Sequence, residues 1–192
     1  MNIFVLDYDP VKAAQAMDCV RVPKMVTESA QMMASALRRH GATDEDMPLT
    51  KSGSPYKGGY ARHPCTLWAG DSDTNFKWLA HHAEALLDEY YHRFGKVHAC
   101  HNPIYQMSSM SKMIPEGDLT PFALAMPDEY RPNHIPLRET RYGRFHNKGE
   151  THATAEEAVQ AYRRYYHSKA DSKGGVHYRH TSPPDWWMGV TA

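Results

Sequence analysis

The chain has little cysteine, no long apolar run and no surplus of charge of either sign, and each shortage removes a class of protein. Its three cysteines, Cys19, Cys65 and Cys100, are too few and too odd in number for a disulfide scaffold and suit a reducing compartment. No stretch approaches the roughly 20 apolar residues that a membrane span requires. The opening Met-Asn-Ile-Phe-Val-Leu-Asp lacks the basic start of a signal peptide. The expectation is therefore a cytoplasmic protein. With 22 Lys/Arg against 22 Asp/Glu, bulk charge announces no nucleic-acid partner. Also missing are GxxxxGK[ST], GxGxxG and GxSxG, which excludes the standard phosphate loop, the dinucleotide fold and the hydrolase elbow. No internal repeat is present.

What is there is unevenly distributed. Residues 1–130 hold 12 Lys/Arg against 16 Asp/Glu, whereas residues 131–192 hold 10 against 6, together with six histidines. The basic end comprises Arg131, Arg138, Arg141, Arg144, Lys148, Arg163, Arg164, Lys169, Lys173 and Arg179, interleaved with Tyr and Trp. That composition can track phosphates and stack bases, and it equally suits a solvated helix face and loop.

The periodicity predicts a mainly α protein: a single-domain helical bundle over residues 1–192, with long irregular loops and a short N-terminal strand or extended lead-in at Ile3–Leu6. Asp9-Pro10 opens a short helix to about Met17. Pro23 opens a longer one that ends near His40, with Gly41 as its stop. Residues 42–62 read as a flexible loop rich in turn residues. Asp73 caps the clearest helix, whose Phe76, Leu79, Ala83, Leu86, Leu87, Tyr90 and Phe94 repeat at three and four before Gly95. Its other line is Trp78, His82, Glu89 and Arg93. Six prolines between 103 and 136 argue against long regular elements in 96–150. Thr154-Ala-Glu-Glu157 is a capping box for a further helix, and 174–192 is an aromatic C-terminal tail.

The segment Arg21–Gln31 carries the most chemistry. Lys24 and Glu28 stand four apart and share a face with Gln31 and Ser35, while Val22, Val26, Ala30, Met33 and Leu37 form the core line. An amine beside a carboxylate on the free side of a packed helix is what imine chemistry uses, and it is also an ordinary helix with one salt bridge. A metal is not indicated: His63, Cys65, His98, Cys100 and His101 lack zinc spacing, and His82-Ala-Glu84 lacks the second half of a deaminase signature.

Arg21–Gln31, behind a short apolar N-terminus, resembles the active-site helix of the phage-type pyrimidine-dimer DNA glycosylases of the endonuclease V type. His63–Trp68 with the helix behind it resembles their second helical block, and Tyr162–Tyr166 resembles their aromatic C-terminal segment. The opening Ile3–Pro10 is also similar to that of a set of small phage proteins, which would place the chain in the host cytoplasm. The resemblance implies a glycosylase/AP lyase acting on a damaged or modified base in DNA, without metal or cofactor, in which an amine attacks the sugar and Glu28 assists. An α-amine, ordinarily near 7.7–8.0, suits that role better than a lysine near 10.4. The family exposes a small second residue by removing the initiator. Here that residue is Asn2, a poor substrate for removal, so the amine is that of Met1. Lys24 is the reserve nucleophile, although an ion pair with Glu28 holds a lysine protonated. The DNA-binding residues expected are Arg21, Gln31, Arg62, His63, Trp68, Arg93, Tyr162, Arg163, Arg164 and Lys169, with Trp68, Trp78, Tyr162 and Trp186 as candidates to receive or replace a flipped base. Two alternatives stay open: a transferase modifying a hydroxymethylated pyrimidine on the same scaffold, and a non-catalytic nucleic-acid-binding protein.

Overall fold

A computed structural model describes residues 1–140 and 143–189. Arg141 and the last three positions of the expected tail lie outside the described residues. The architecture is mainly helical: α1 (Pro10–Gln15), α2 (Arg21–Arg39), α3 (Pro64–Ala69), α4 (Asp73–Phe94), α5 (His101–Ser108) and α6 (Ala155–His167). Four short strands complete it: β1 (Phe122–Ala123), β2 (His134–Thr140), β3 (Gly143–Lys148) and β4 (His152–Ala153). β1 pairs with β4, and β2 with β3, both antiparallel.

Local chemistry sets most helix ends. The Asp9 carboxylate accepts from the N–H groups of Val11 and Lys12, and Pro10 begins α1. The Glu157 carboxylate accepts from both the N–H and the hydroxyl of Thr154 at the start of α6. Gly95 takes φ +63° and closes α4 in the left-handed conformation. The cap of α4 differs from expectation. Ser72, not Asp73, accepts from the Asn75 N–H, and Asp73 turns instead to the Gly117 N–H and to Lys77. α2 starts at Arg21, two residues before Pro23, because a proline in the first turn removes an N–H that has no helical partner anyway.

α2 and α4 are the centre of the core. Val22, Val26, Ala30, Met33 and Leu37 are buried as their spacing predicts, and so are Met25, Met32, Ala34 and Ala36, because α2 is covered on more than one side. α4 packs against α1, α2 and α5. Its other line is covered as well: Trp78, His82 and Arg93 are all buried.

One expectation is corrected here. The N-terminus is not a strand. Ile3–Leu6 is buried but unpaired, because Phe4 sits at φ +38° and the Leu6 N–H turns back to the Phe4 carbonyl at 2.7 Å. The proline-rich 96–150 segment holds no long element among its described residues, the longest being the eight-residue α5 and the β2–β3 hairpin. Pro103 falls in the first turn of α5, and Pro136 lies where the β2/β3 register shifts.

The connections are tied down. In the 42–62 loop, Ser35 Oγ accepts from the Gly59 N–H at 2.9 Å, and Arg38 Nε donates to the Tyr56 carbonyl at 2.9 Å. A Cβ on Gly58 would lie 2.2 Å from Ser35 Oγ, so only glycine lets the loop approach α2 this closely. The tail returns to α1 and α2 through Cys19, whose N–H donates to the His177 carbonyl, and through Tyr178, whose hydroxyl donates to the Ala16 carbonyl. Among the described residues no helix is long and apolar enough to cross a membrane.

Candidate active site

The site is built where the chain start crosses the first turns of α2. Ile3, Val5 and Leu6 anchor the lead-in, each at most 1% exposed. Asn2 fixes what precedes them: its Nδ2 donates to the Ala125 carbonyl at 2.7 Å, and its Oδ1 accepts from the Phe4 N–H at 2.8 Å. The left-handed backbone at Phe4 costs roughly 1–2 kcal/mol for a non-glycine residue. The ring contacts hold it there: Phe4 stacks on Tyr165 at 5.9 Å and meets Tyr162 and Tyr166 edge-on.

The kink aims the chain start at Glu28. The Asn2 backbone N–H donates to Glu28 Oε2 at 2.9 Å, and the Met1 amine lies 3.8 Å from the same oxygen. Lys24 Nζ lies 3.5 Å from Oε1. The Glu28 side chain is 13% exposed and that of Lys24 is 69% exposed, so the carboxylate is recessed and the lysine stands at the rim. Met1's side chain is only 1% exposed, with the Thr66 hydroxyl 3.7 Å from its sulfur.

These groups line a cleft of about 480 Å³. Arg21 and Lys24 stand on the α2 side, and Tyr165, Lys169, Ser172 and Lys173 on the α6 side. Glu28 is the one acid among the cleft's lining residues, and four of the others are basic, so the hollow suits a polyanion. A larger hollow of about 650 Å³ mixes Lys12, His92 and Arg163 with Asp7, Glu89 and Asp185 and does not include the chain start.

Arg21 is buried, and its guanidinium donates to Asp18, Ser172 and the Gly175 carbonyl, joining α2 to the segment after α6. Lys169 Nζ sits 3.7 Å above the Tyr165 ring at the cleft wall. Gln31 is half-buried beneath Gly59. Arg62 is exposed, and His63 caps α3 by accepting the Cys65 N–H. Burial first, then the positive chain start, hold His63 below the ordinary histidine range, while Glu28 pulls the other way. Arg164 is exposed and donates to the Tyr130 carbonyl. Arg163 is half-buried: it donates to the Leu6 carbonyl at 2.8 Å and lies over the Trp186 ring, so it braces the lead-in.

Three expected DNA contacts are corrected to core roles. Trp68 is 1% exposed, stacks on Phe122 and donates toward the Thr120 carbonyl. Tyr162 is fully buried; its hydroxyl donates to the Ala123 carbonyl and accepts the Ala125 N–H. Arg93 is 4% exposed, pairs with Glu89 and donates to the Gln15 and Met17 carbonyls at the end of α1 and just past it. Trp78 is likewise buried, donating to the Tyr8 carbonyl. None of the four can stack a base as it stands. Cys65 is no nucleophile: burial pushes its thiol up to about 12.

Ala125 and Tyr165, and the clamping role of Asn2, escaped sequence reasoning. Asn2 and Ala125 meet across 123 positions, and no local pattern signals that. Tyr165 did carry a signal, as the residue next to Arg164 on a helix four positions before Lys169. Among the described residues no three His, Cys, Asp or Glu side chains stand close enough to hold a metal ion.

Residues 1–102 match the family model described as pyrimidine dimer DNA glycosylase. No curated protein and no solved structure matches the chain. The matched residues carry the chain start, Lys24, Glu28 and His63, and they make up more than half of the sequence. The chain thus belongs to the pyrimidine dimer DNA glycosylase family.

Proposed function

We propose that the cleft carries out glycosylase and lyase chemistry on a damaged pyrimidine in DNA, with the Met1 amine as nucleophile and Glu28 as its proton partner. The neutral amine attacks the sugar C1′. The bond from C1′ to the base breaks, and the base departs with the bonding pair and takes up a proton. The surplus proton on the attacking nitrogen passes to Glu28, which returns it to O4′ as the C1′–O4′ bond opens. A protonated imine remains at C1′. Loss of a C2′ proton then expels the 3′-phosphate, and water releases the enzyme.

One observation carries this reading: the chain-start nitrogen lies 3.8 Å from Glu28 Oε2 inside a cleft whose other charges are basic. Proton exchange between nitrogen and carboxylate then needs a movement of only about 1 Å to reach hydrogen-bond distance. The Asn2 N–H fixes the carboxylate by a bond of its own to the oxygen that the amine faces. Lys24 at the rim and Lys169 and Lys173 on the opposite wall would meet the phosphates on either side of the nucleotide.

The test is Glu28→Gln on a duplex with a single pyrimidine dimer. Strand cleavage should fall by at least a hundredfold, with duplex affinity held within about threefold. A variant that still cleaves at the wild-type rate would refute the assignment. A transferase would instead leave the strand intact with either protein.

A further inference from the structure

The β2–β3 hairpin lies beyond the family match and carries charge that the cleft does not use. We infer that this hairpin is a second DNA-contacting arm, whose basic side chains hold the phosphate backbone of the duplex beside the nucleotide in the cleft. The inference rests on the proposed action on DNA.

Three observations support it. First, the arm presents a run of exposed side chains. Leu137, Arg138, Arg144, His146, Asn147 and Lys148 are all exposed, and the two strands pair with each other and pack otherwise on the 3₁₀ turn Asp128–Tyr130. Second, its charge is lopsided: within 134–148 the described residues hold Arg138, Arg144 and Lys148 against Glu139 alone, with His134 and His146 added. A solvated arm of that sign suits a polyanion, and an antiparallel ribbon of this width fits a DNA groove. Six to seven residues per strand give a reach of roughly 20 Å.

Third, its root is fixed at the edge of the cleft. The Glu150 N–H donates to the Pro132 carbonyl at 2.9 Å. A Cβ on Gly149, at φ +81°, would lie 2.8 Å from both Arg131 Cβ and the Pro132 carbonyl oxygen, so the two legs of the arm touch there. Tyr130, in the supporting turn, packs its ring 5.3 Å from Tyr165, which lines the cleft. Arg164 donates to the Tyr130 carbonyl and ties the same turn to α6. The supporting turn of the arm therefore sits against α6, at the wall that Tyr165 lends to the cleft.

The experiment compares wild type with Arg138→Ala/Arg144→Ala/Lys148→Ala on a duplex of about 25 base pairs carrying one abasic site, over a range of salt. The affinity should fall by on the order of tenfold near 0.1 M salt, and the slope of log K against log salt should shrink by about 1 to 3. The rate of borohydride-trapped adduct formation at saturating protein should not change. The matched lysine variant, Arg138→Lys/Arg144→Lys, should bind as wild type, which separates lost charge from a disturbed fold. An affinity within twofold of wild type with the same slope overturns the arm. If wild type fails to bind the duplex, both the arm and the cleft reading fall. If wild type binds and the triple alanine variant weakens binding, but Glu28→Gln still cleaves, the cleft reading falls and the arm stands.

Discussion

Replacing Asn2 by leucine should damage the reaction while leaving every proposed reacting group in place. Leucine keeps the branched outline of asparagine with more bulk, and as a large second residue it keeps Met1 attached. What it removes is the clamp formed by the Ala125 carbonyl at 2.7 Å and the Phe4 N–H at 2.8 Å. The Phe4 N–H stays buried and the half-buried Ala125 carbonyl loses its partner, at about 1–3 kcal/mol each at most. Unfolding free energy in urea should fall by roughly 2–4 kcal/mol. The larger effect is positional. The Phe4 kink and the Asn2 clamp together hold the amine beside Glu28, and a displacement of about 1 Å costs on the order of a hundredfold. Single-turnover borohydride trapping on an abasic duplex measures that loss directly. Asn2→Ala is the contrasting variant. A small second residue permits removal of Met1, and the new amine would be the nitrogen now 2.9 Å from Glu28. Asn2→Ala should therefore recover trapping relative to Asn2→Leu, with the adduct shifted to residue 2. A leucine variant that traps at the wild-type rate would refute the claim that Asn2 positions the nucleophile.

Two further outcomes concern the scaffold. Burial lowers the pKa of His82 to about 3 against an ordinary 6.5, so the unfolded chain binds a proton that the folded chain refuses. Stability attributable to His82 is thus intact above pH 6.5 and is lost as pH falls toward 3, at about 1.4 kcal/mol per unit. His82→Phe, which keeps a flat ring against Trp78, should lose roughly 2 kcal/mol less than wild type between pH 7 and 5 in urea unfolding; equal losses would contradict this. Gly58→Ala places a methyl group 2.7 Å from the Ser35 backbone nitrogen at a φ of +77°. It should cost about 2–4 kcal/mol and expose the Gly59 amide to hydrogen exchange, whereas a cost under about 0.5 kcal/mol would mean that the loop does not need its contact with Ser35.

The helices were legible because their signals are local. Asp9-Pro10, Gly95 and the Thr154/Glu157 box each act within a few residues of where they stand. Glu28 and Lys24 were legible for the same reason, since four residues make one turn. α5 and the hairpin were not, because a proline in a first turn or at a register shift reads in sequence like a breaker. Trp68, Tyr162 and Arg93 failed for a different reason. Each is an amphipathic side chain whose polar end is satisfied by a distant backbone carbonyl, from Thr120, Ala123 and Met17 respectively, and sequence alone cannot tell such a group from one that waits for a nucleic acid. The clamp at the chain start was invisible too. Asn2 is an unremarkable second residue until Ala125 arrives beside it.

The most direct measurement of the central claim is the site of the trapped bond. Protein is reduced with borohydride on an abasic duplex, digested and mapped by mass spectrometry. The account predicts a single adduct on the α-nitrogen of Met1, and its loss when one residue is added ahead of Met1, which turns that amine into an amide. An adduct on Lys24, or full trapping by the extended protein, would contradict it.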